Sequence, residues 1–342
     1  MESACNCCQK KQKTTHESVH DGDQHTCKCR SRDEHLKIDP EIDQVAAAGS
    51  DESASAADEG QASAGQNQAE LKSRIIQSIK DLPPMPHVVI KIQQLISDLN
   101  SDTTKLAGII ESDQAIAAKV LKMANSAFYG MSGRISSIHQ ASLFLGYQTL
   151  GEIVTMAGAA DMLSGNMPGY GYDSRALWQH SLAVAFTSKM IAERKNKDRI
   201  HEAHTAGLIH DVGKIILDRH VLENKDRISE YMAQEEKTFI DAERCFFGFD
   251  HAEIAYEICR TWKIPETVSL AIRCHHRPSI SNADELAYIL HTADYIATMG
   301  GIGYDDDDAL YELESGALDF IELRQEEVSE ITLKVLEAVD QL

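Results

Sequence analysis

Gly207-Leu208-Ile209-His210-Asp211-Val212-Gly213-Lys214 is the stretch on which the reading of this chain turns. Its apolar first half belongs to a helix, which ends in an imidazole, a carboxylate, a glycine and then a lysine. Neighbours on a helix point about 100° apart, so His210 and Asp211 are not expected to face each other. A small cation lying between the two directions can still be held by both. A neutral imidazole with a carboxylate suits a borderline divalent ion such as iron, manganese or zinc. Lys214, one turn on, can set a positive charge where a phosphate ester would sit on that ion. Taken alone, the pair also fits a helix whose last turn becomes polar where it meets solvent.

Other metal-capable side chains follow in separate apolar segments. Asp250-His251-Ala252-Glu253 starts a helix with His251 near its N-terminus, and His275-His276 closes the apolar run Val268–Cys274. Asp294 lies inside the apolar helix Leu286–Ala297, and His180 sits among Leu182, Val184, Ala185 and Phe186. Buried polar groups need partners, and one metal cluster would satisfy His180 and Asp294 together. The predicted ligand set is His180, His210, Asp211, His251, His275, His276 and Asp294. These residues are expected to converge, with Asp211 and Lys214 as the candidate catalytic pair.

The order His, His-Asp, His, His-His, Asp resembles an HD-domain phosphohydrolase, a helical fold whose ligands come from several helices. The preceding region narrows the resemblance. It holds Leu82-Pro83-Pro84-Met85-Pro86, Ile110-Glu111-Ser112-Asp113-Gln114, Ala124-Asn125-Ser126-Ala127-Phe128-Tyr129-Gly130, Ile135-Ser136-Ser137-Ile138 and Leu145-Gly146. With the HD-like half, these runs resemble the HDOD domain, an HD-related output module of bacterial signalling proteins, over roughly residues 72–300. The resemblance implies a binding or scaffolding role, for which many HDOD domains have lost their metal ligands. This chain keeps seven. HD relatives that hydrolyse cyclic dinucleotides carry Gly-Tyr-Pro after the paired histidines. Here Arg277-Pro278-Ser279-Ile280 stands in that place, so cyclic di-GMP hydrolysis is not implied.

Hydrophobic residues make up 43% of the 342, enough for a substantial core. The formal net charge of −21 argues against a nucleic-acid surface, since phosphates would be repelled and no basic patch stands apart. No apolar run approaches the roughly 18 residues needed to span a membrane, and no signal-peptide core appears. A cytoplasmic protein is expected.

Cys5, Cys7, Cys8, Cys27 and Cys29 crowd the first thirty positions with interspersed histidines, but Cys-Asn-Cys-Cys and Cys-Lys-Cys lack the spacing of zinc ribbons. Cys245, Cys259 and Cys274 lie in apolar helical stretches and are read as reduced core residues. Between Asp43 and Glu70 almost no large apolar residue occurs, so residues 1–70 are read as a disordered tail and linker.

From Leu71 onward the chain reads as all-α. Ile75, Ile76 and Ile79 form one stripe, which Leu82-Pro83-Pro84 ends. Val88, Val89, Ile92, Leu95, Ile96 and Leu99 form a second stripe at helical spacing. Further helices are expected at Thr103–Glu111, Ala115–Ala124, His139–Leu145 and Thr149–Leu163, with Asp102 and Asp113 as caps. Residues 164–173, rich in glycine and tyrosine, mark a boundary between two packed helical subdomains, 71–163 and an HD-like 174–300. The second is expected to hold helices at Ala176–Glu193, Ile200–Ile209, Ile215–Glu223 and near Ile228–Glu236. Residues 301–342 supply C-terminal helices behind the Asp305–Asp308 loop, whose last residue is the expected cap. Asn125 is read as a helix C-terminus in a left-handed turn. His139, His201, His204, His220 and His291 are read as structural.

Two functions fit these residues. One is a signalling module that binds a partner protein or a small phosphorylated effector and keeps a metal site. The other is a metal-dependent phosphohydrolase acting on a nucleotide or other phosphoester.

Overall fold

The apolar stripes fold into fifteen helices in a computed structural model describing residues 71, 73–79, 82, 86–96, 103–129, 134–173, 175–233, 237–303 and 312–339. The expected tail and its cysteines, the Asp102 cap and the Asp305–Asp308 loop lie outside those residues. The N-terminal helices are α1 (73–79), α2 (His87–Ile96), α3 (Thr103–Glu111), α4 (Gln114–Ala124) and α5 (Ile138–Leu163). After them come α6 (Ala176–Lys195), α7 (Ile200–Ile209), α8 (Gly213–Glu223), α9 (Lys225–Met232) and α10 (Phe239–Phe247). The chain continues through α11 (His251–Thr261), α12 (Glu266–Arg273), α13 (Glu285–Met299), α14 (Ala317–Phe320) and α15 (Gln325–Val339). Among the described residues the sole β feature is one antiparallel bridge between Met167 and Tyr172. None of the described helices is long and apolar enough to cross a membrane.

Local chemistry sets most helix starts. Asp113 caps α4 by accepting from the amides of Ala115 and Ile116, as its sequence position predicts. Ser137 caps α5, which is one helix broken at Gly146 (φ 78°, ψ 170°), where the sequence predicts a gap between two helices. Asp250 caps α11 with Glu253 reaching back to the cap amide, so His251 becomes the first residue of that helix.

Two expectations need correction. Asn125 does end α4, but at φ −90° and ψ 4°, outside the left-handed region. Its amide instead donates to the carbonyls of Leu121 (2.7 Å) and Ile135 (2.9 Å) and accepts from Ile135 N (2.8 Å). The side chain thus acts as a short strand partner for residue 135. The helix expected near Ile228–Glu236 runs from Lys225 to Met232 instead.

The long α5 is the shared support of α2, α3 and α4, and it also packs on α6 and α7. Helices α6, α7 and α13 form the centre of the C-terminal part, with α11 bridging α8 and α12. Phe128, from the Asn-Ser-Ala-Phe-Tyr run, stacks on the fully buried Phe186 of α6 with ring centroids 3.8 Å apart. Burying such a ring stabilises the fold by roughly 1.5–3 kcal/mol, so this motif ties the N-terminal helices to α6. Where α8 begins, Gly213 lies so close to α11 that a Cβ would strike the His251 carbonyl oxygen. That close approach brings the His210-Asp211 turn against the start of α11.

Candidate metal centre

All seven predicted ligands converge. His180 comes from the second turn of α6, His210 and Asp211 from the turn after α7, and His251 from the first position of α11. His275 and His276 follow α12, and Asp294 lies within α13. His180 Nε2 is 2.9 Å from Asp294 Oδ1, although 114 residues separate them. Because α7 stops at Ile209, His210 and Asp211 occupy a turn, and His210 Nε2 comes within 3.3 Å of Asp211 Oδ2. The helical expectation that they point apart therefore fails.

The imidazoles are oriented from behind. His210 Nδ1 donates to the Gly207 carbonyl (2.9 Å) and His275 Nδ1 to the Ile272 carbonyl (2.6 Å). A carbonyl only accepts, so these bonds place hydrogen on Nδ1 and turn Nε2 inward. His251 Nδ1 donates to Glu243, 2.9 and 2.8 Å from its two oxygens, and His251 Nε2 faces Asp211 Oδ1 at 3.2 Å and His276 Nε2 at 2.7 Å.

Asp211 lies between two donor groups. Its Oδ2 faces His210 at 3.3 Å, His180 at 3.9 Å and Lys214 Nζ at 2.8 Å. Its Oδ1 faces His251 at 3.2 Å and His275 at 3.9 Å. Lys214, read as a phosphate contact, is only 7% exposed and ion-paired to Asp211, with its ammonium 5.8 and 5.5 Å from the Tyr170 and Tyr172 ring centres.

Burial and charge set the protonation pattern. Burial pushes His210 down, but Asp211 and Asp294 beside it overcome this and raise it to about 10. His251 is likewise lowered by burial yet raised to about 9 by Glu243 and Asp211. Burial, helped by neighbouring imidazoles, lowers His275 to about 3 and His276 well below the usual histidine range. For Asp211 and Asp294, burial opposes ionisation, but His210, Lys214 and His251 around Asp211, and His180 and His210 around Asp294, hold both well below the usual carboxylate range. Two carboxylates thus face imidazoles of which some carry protons and others present lone pairs.

The donor set fits a divalent ion. His275 Nε2 is buried and makes no hydrogen bond, yet Asp211 Oδ1 and Asp294 Oδ2 lie 3.9 and 4.0 Å away. Those gaps are too long for hydrogen bonds and suit atoms sharing an ion at roughly 2.0–2.3 Å, whose ligands sit about 3–4 Å apart. Three groups are close enough to hold an ion: His180 with His210 and Asp211; His210 with His275 and Asp294; and His251 with His275 and His276. Nitrogen and carboxylate donors together favour iron, manganese or zinc over magnesium or calcium.

Sequence reasoning missed three contributors. Glu243 of α10 is fully buried and takes both the main-chain amide and Nδ1 of His251 (2.8 Å each). A charged residue four positions before the buried Phe247, on the face of α10 that packs inward, was the available signal. Tyr170 and Tyr172, in the segment read as a boundary, cover Lys214. His291, one turn before Asp294, uses Nδ1 on the His275 carbonyl (2.7 Å) and Nε2 on the Glu314 amide (2.8 Å). It supports the centre from outside, as its exclusion from the ligands implies.

The HDOD domain profile matches residues 82–278. A protein of Geobacter sulfurreducens, described as an HDOD domain protein of unknown function, has a similar structure: TM-score 0.63 at 23% identity, over 79% of this chain and 97% of the other. A Shewanella amazonensis protein, provisionally assigned as a phosphohydrolase, reaches TM-score 0.63 at 21% identity, over 78% of this chain and 97% of the other. These two likenesses concern the fold. An uncharacterized Treponema pallidum protein is 24% identical over 207 residues, which is 60% of this chain but 40% of the relative. With the profile spanning more than half of its length and the fold agreeing, the chain belongs to the HDOD domain family.

Proposed function

We propose that the protein is a regulatory HDOD module of cytoplasmic signalling that holds one or two divalent ions, iron, manganese or zinc, in the His180–Asp294 centre. Its output is binding of a partner protein or a small phosphorylated effector. The observation carrying this reading is the closure of the centre. His180, His210 and His275 are fully buried, Asp211, His251 and Asp294 nearly so, and Lys214 is engaged by Asp211. A bare cation fits such a site, whereas a phosphoester needs the side chains above it to move. The acidity of the chain, net −21, directs it toward basic protein surfaces rather than nucleic acid.

The alternative is a metal-dependent phosphohydrolase, favoured by the complete donor set and by a lysine beside Asp211. A bound ion would polarise a phosphoryl oxygen, with Asp211 between the donor groups and Lys214 available to a phosphate once released from Asp211. Metal analysis of the purified protein, with a screen of nucleotides and phosphate monoesters after loading with manganese, iron or zinc, separates the two. Stoichiometric metal without turnover supports the module. Turnover lost in Asp211→Asn establishes the enzyme. Absence of any tightly held metal overturns both versions of the centre.

A further inference from the structure

Residues 164–173, between α5 and α6, do more than join them. Met167 and Tyr172 exchange both main-chain hydrogen bonds (3.1 and 3.0 Å), closing a small hairpin in which Met167 and Tyr172 are buried. Asp218 of α8 holds the hairpin from below by accepting from the amides of Gly169 (2.8 Å) and Tyr170 (3.3 Å). Gly169 is pressed against α8 so closely that a Cβ would overlap the Asp218 carbonyl. From this anchored position Tyr170 donates its hydroxyl to Glu243 Oε1 at 2.6 Å. Glu243 is the residue that receives His251 Nδ1, and the Tyr170 ring lies between Phe239 (4.9 Å) and Tyr172 (5.7 Å).

A short, charge-assisted bond to a fully buried carboxylate is strong and directional, and its loss leaves Glu243 short of a donor. Glu243 in turn decides which nitrogen of His251 carries hydrogen and in which plane the ring lies, because both its oxygens converge on His251. We propose that Tyr170 and Glu243 are positioning residues of the metal centre, and that the Met167–Tyr172 hairpin is a strap latched across it, so that ion retention and strap closure are coupled. The inference rests on the metal-binding reading above. It adds a route by which the state of the centre reaches the connection between the N-terminal helices and the HD-like part.

Tyr170→Phe tests the latch, since it removes one hydroxyl and no metal donor. Asp218→Ala releases the strap without touching Glu243, and serves if the first variant folds poorly. The full chain is compared with and without zinc by hydrogen exchange of the Gly169, Tyr170 and Tyr172 amides, and by the rate at which a chelator strips the metal. Cobalt-loaded protein reports ligand geometry through its visible bands. In wild type, zinc should slow exchange in the strap. Both variants should exchange faster and release metal at least about tenfold faster, the low end of losses on removing an outer partner of a ligand. Saturating stoichiometry should stay the same, and Glu243→Gln should alter the cobalt spectrum. If the variants exchange and release metal as wild type does, the strap is overturned while the metal centre stands. If wild type retains no metal, the centre itself is wrong and the coupling falls with it.

Discussion

Two buried polar clusters in this molecule look alike in composition and behave differently. One is the proposed metal centre; the other lies where α5 meets α6 and α7. There Glu152, 4% exposed, receives Lys189 Nζ at 2.6 Å and lies 2.5 Å from His201 Nδ1. Burial opposes its charge, but His204, His201 and Lys189 hold it down to about 2. That carboxylate is satisfied on both oxygens by side chains of the two helices it faces, so the cluster is a closed ionic contact. In the metal centre, by contrast, His275 Nε2 faces two carboxylates across gaps no hydrogen bond spans. His204 also lacks hydrogen bonds at both ring nitrogens, yet among the described residues it belongs to no group of three donors near enough to share an ion. Unpaired donors mark a binding site when they converge, and a structural cost when they do not.

The largest expected effect tests the converging cluster. Asp211→Asn weakens a carboxylate that faces both donor groups, so metal affinity should fall by more than the roughly 10–100-fold that loss of an outer partner costs. Metal content after dialysis and calorimetric titration measure this; wild-type affinity in the variant would break the comparison. Glu152→Ala should do the reverse. It strands Lys189 and His201 and should cost about 3 kcal/mol in chemical denaturation, while metal stoichiometry is unchanged.

The pH dependence sharpens the same contrast. Glu152 is depressed from 4.5 to about 2, so its contribution is complete above pH 4.5 and is lost as pH falls toward about 2. His204 is lowered from 6.5 to about 4 by burial, with Glu152 opposing and Lys189 and His201 assisting, so the fold loses stability as pH drops from 6.5 toward 4. Tyr129, itself raised by burial and by Glu152, stays neutral throughout this range. Denaturation midpoints of Glu152→Gln should lose the lower part of the acid slope and His204→Gln the upper part. Unchanged slopes in both would mean that this contact carries no linked protons. The smallest effect belongs to Lys214→Met, which removes a partner of Asp211 but no donor. Metal content should persist, and phosphoester turnover, if the loaded wild type has any, should fall selectively.

How much was legible is clear from particular residues. Asp113 is readable as a cap because a cap depends on amides two or three positions away. The Gly146 break and the inward stripes of α1 and α2 follow from the same short-range rules. The side chains that converge at the candidate centre are named by the histidine and aspartate order together with the family resemblance. Asn125 ends α4 as expected but outside the left-handed region, because its conformation is set by Ile135, ten residues on, rather than by helix-end geometry alone. Nothing local indicates that Lys214 pairs with Asp211 or that two tyrosines from residues 170–172 lie beside it.

The sequence by itself determined an all-helical chain, the helix ends with strong caps, and which side chains are chemically able to hold a metal. These depend on periodicity and on hydrogen bonds within one turn. Tertiary structure alone decided that Glu243 and Tyr170 stand behind His251, that Lys214 pairs with Asp211, and that both Glu152 oxygens find partners while His275 Nε2 makes no hydrogen bond. Tyr170 and Glu243 are 73 residues apart, and His180 and Asp294 are 114 apart. No periodic pattern spans such distances. Their pairing follows from which buried groups are left to satisfy one another once the apolar faces have packed.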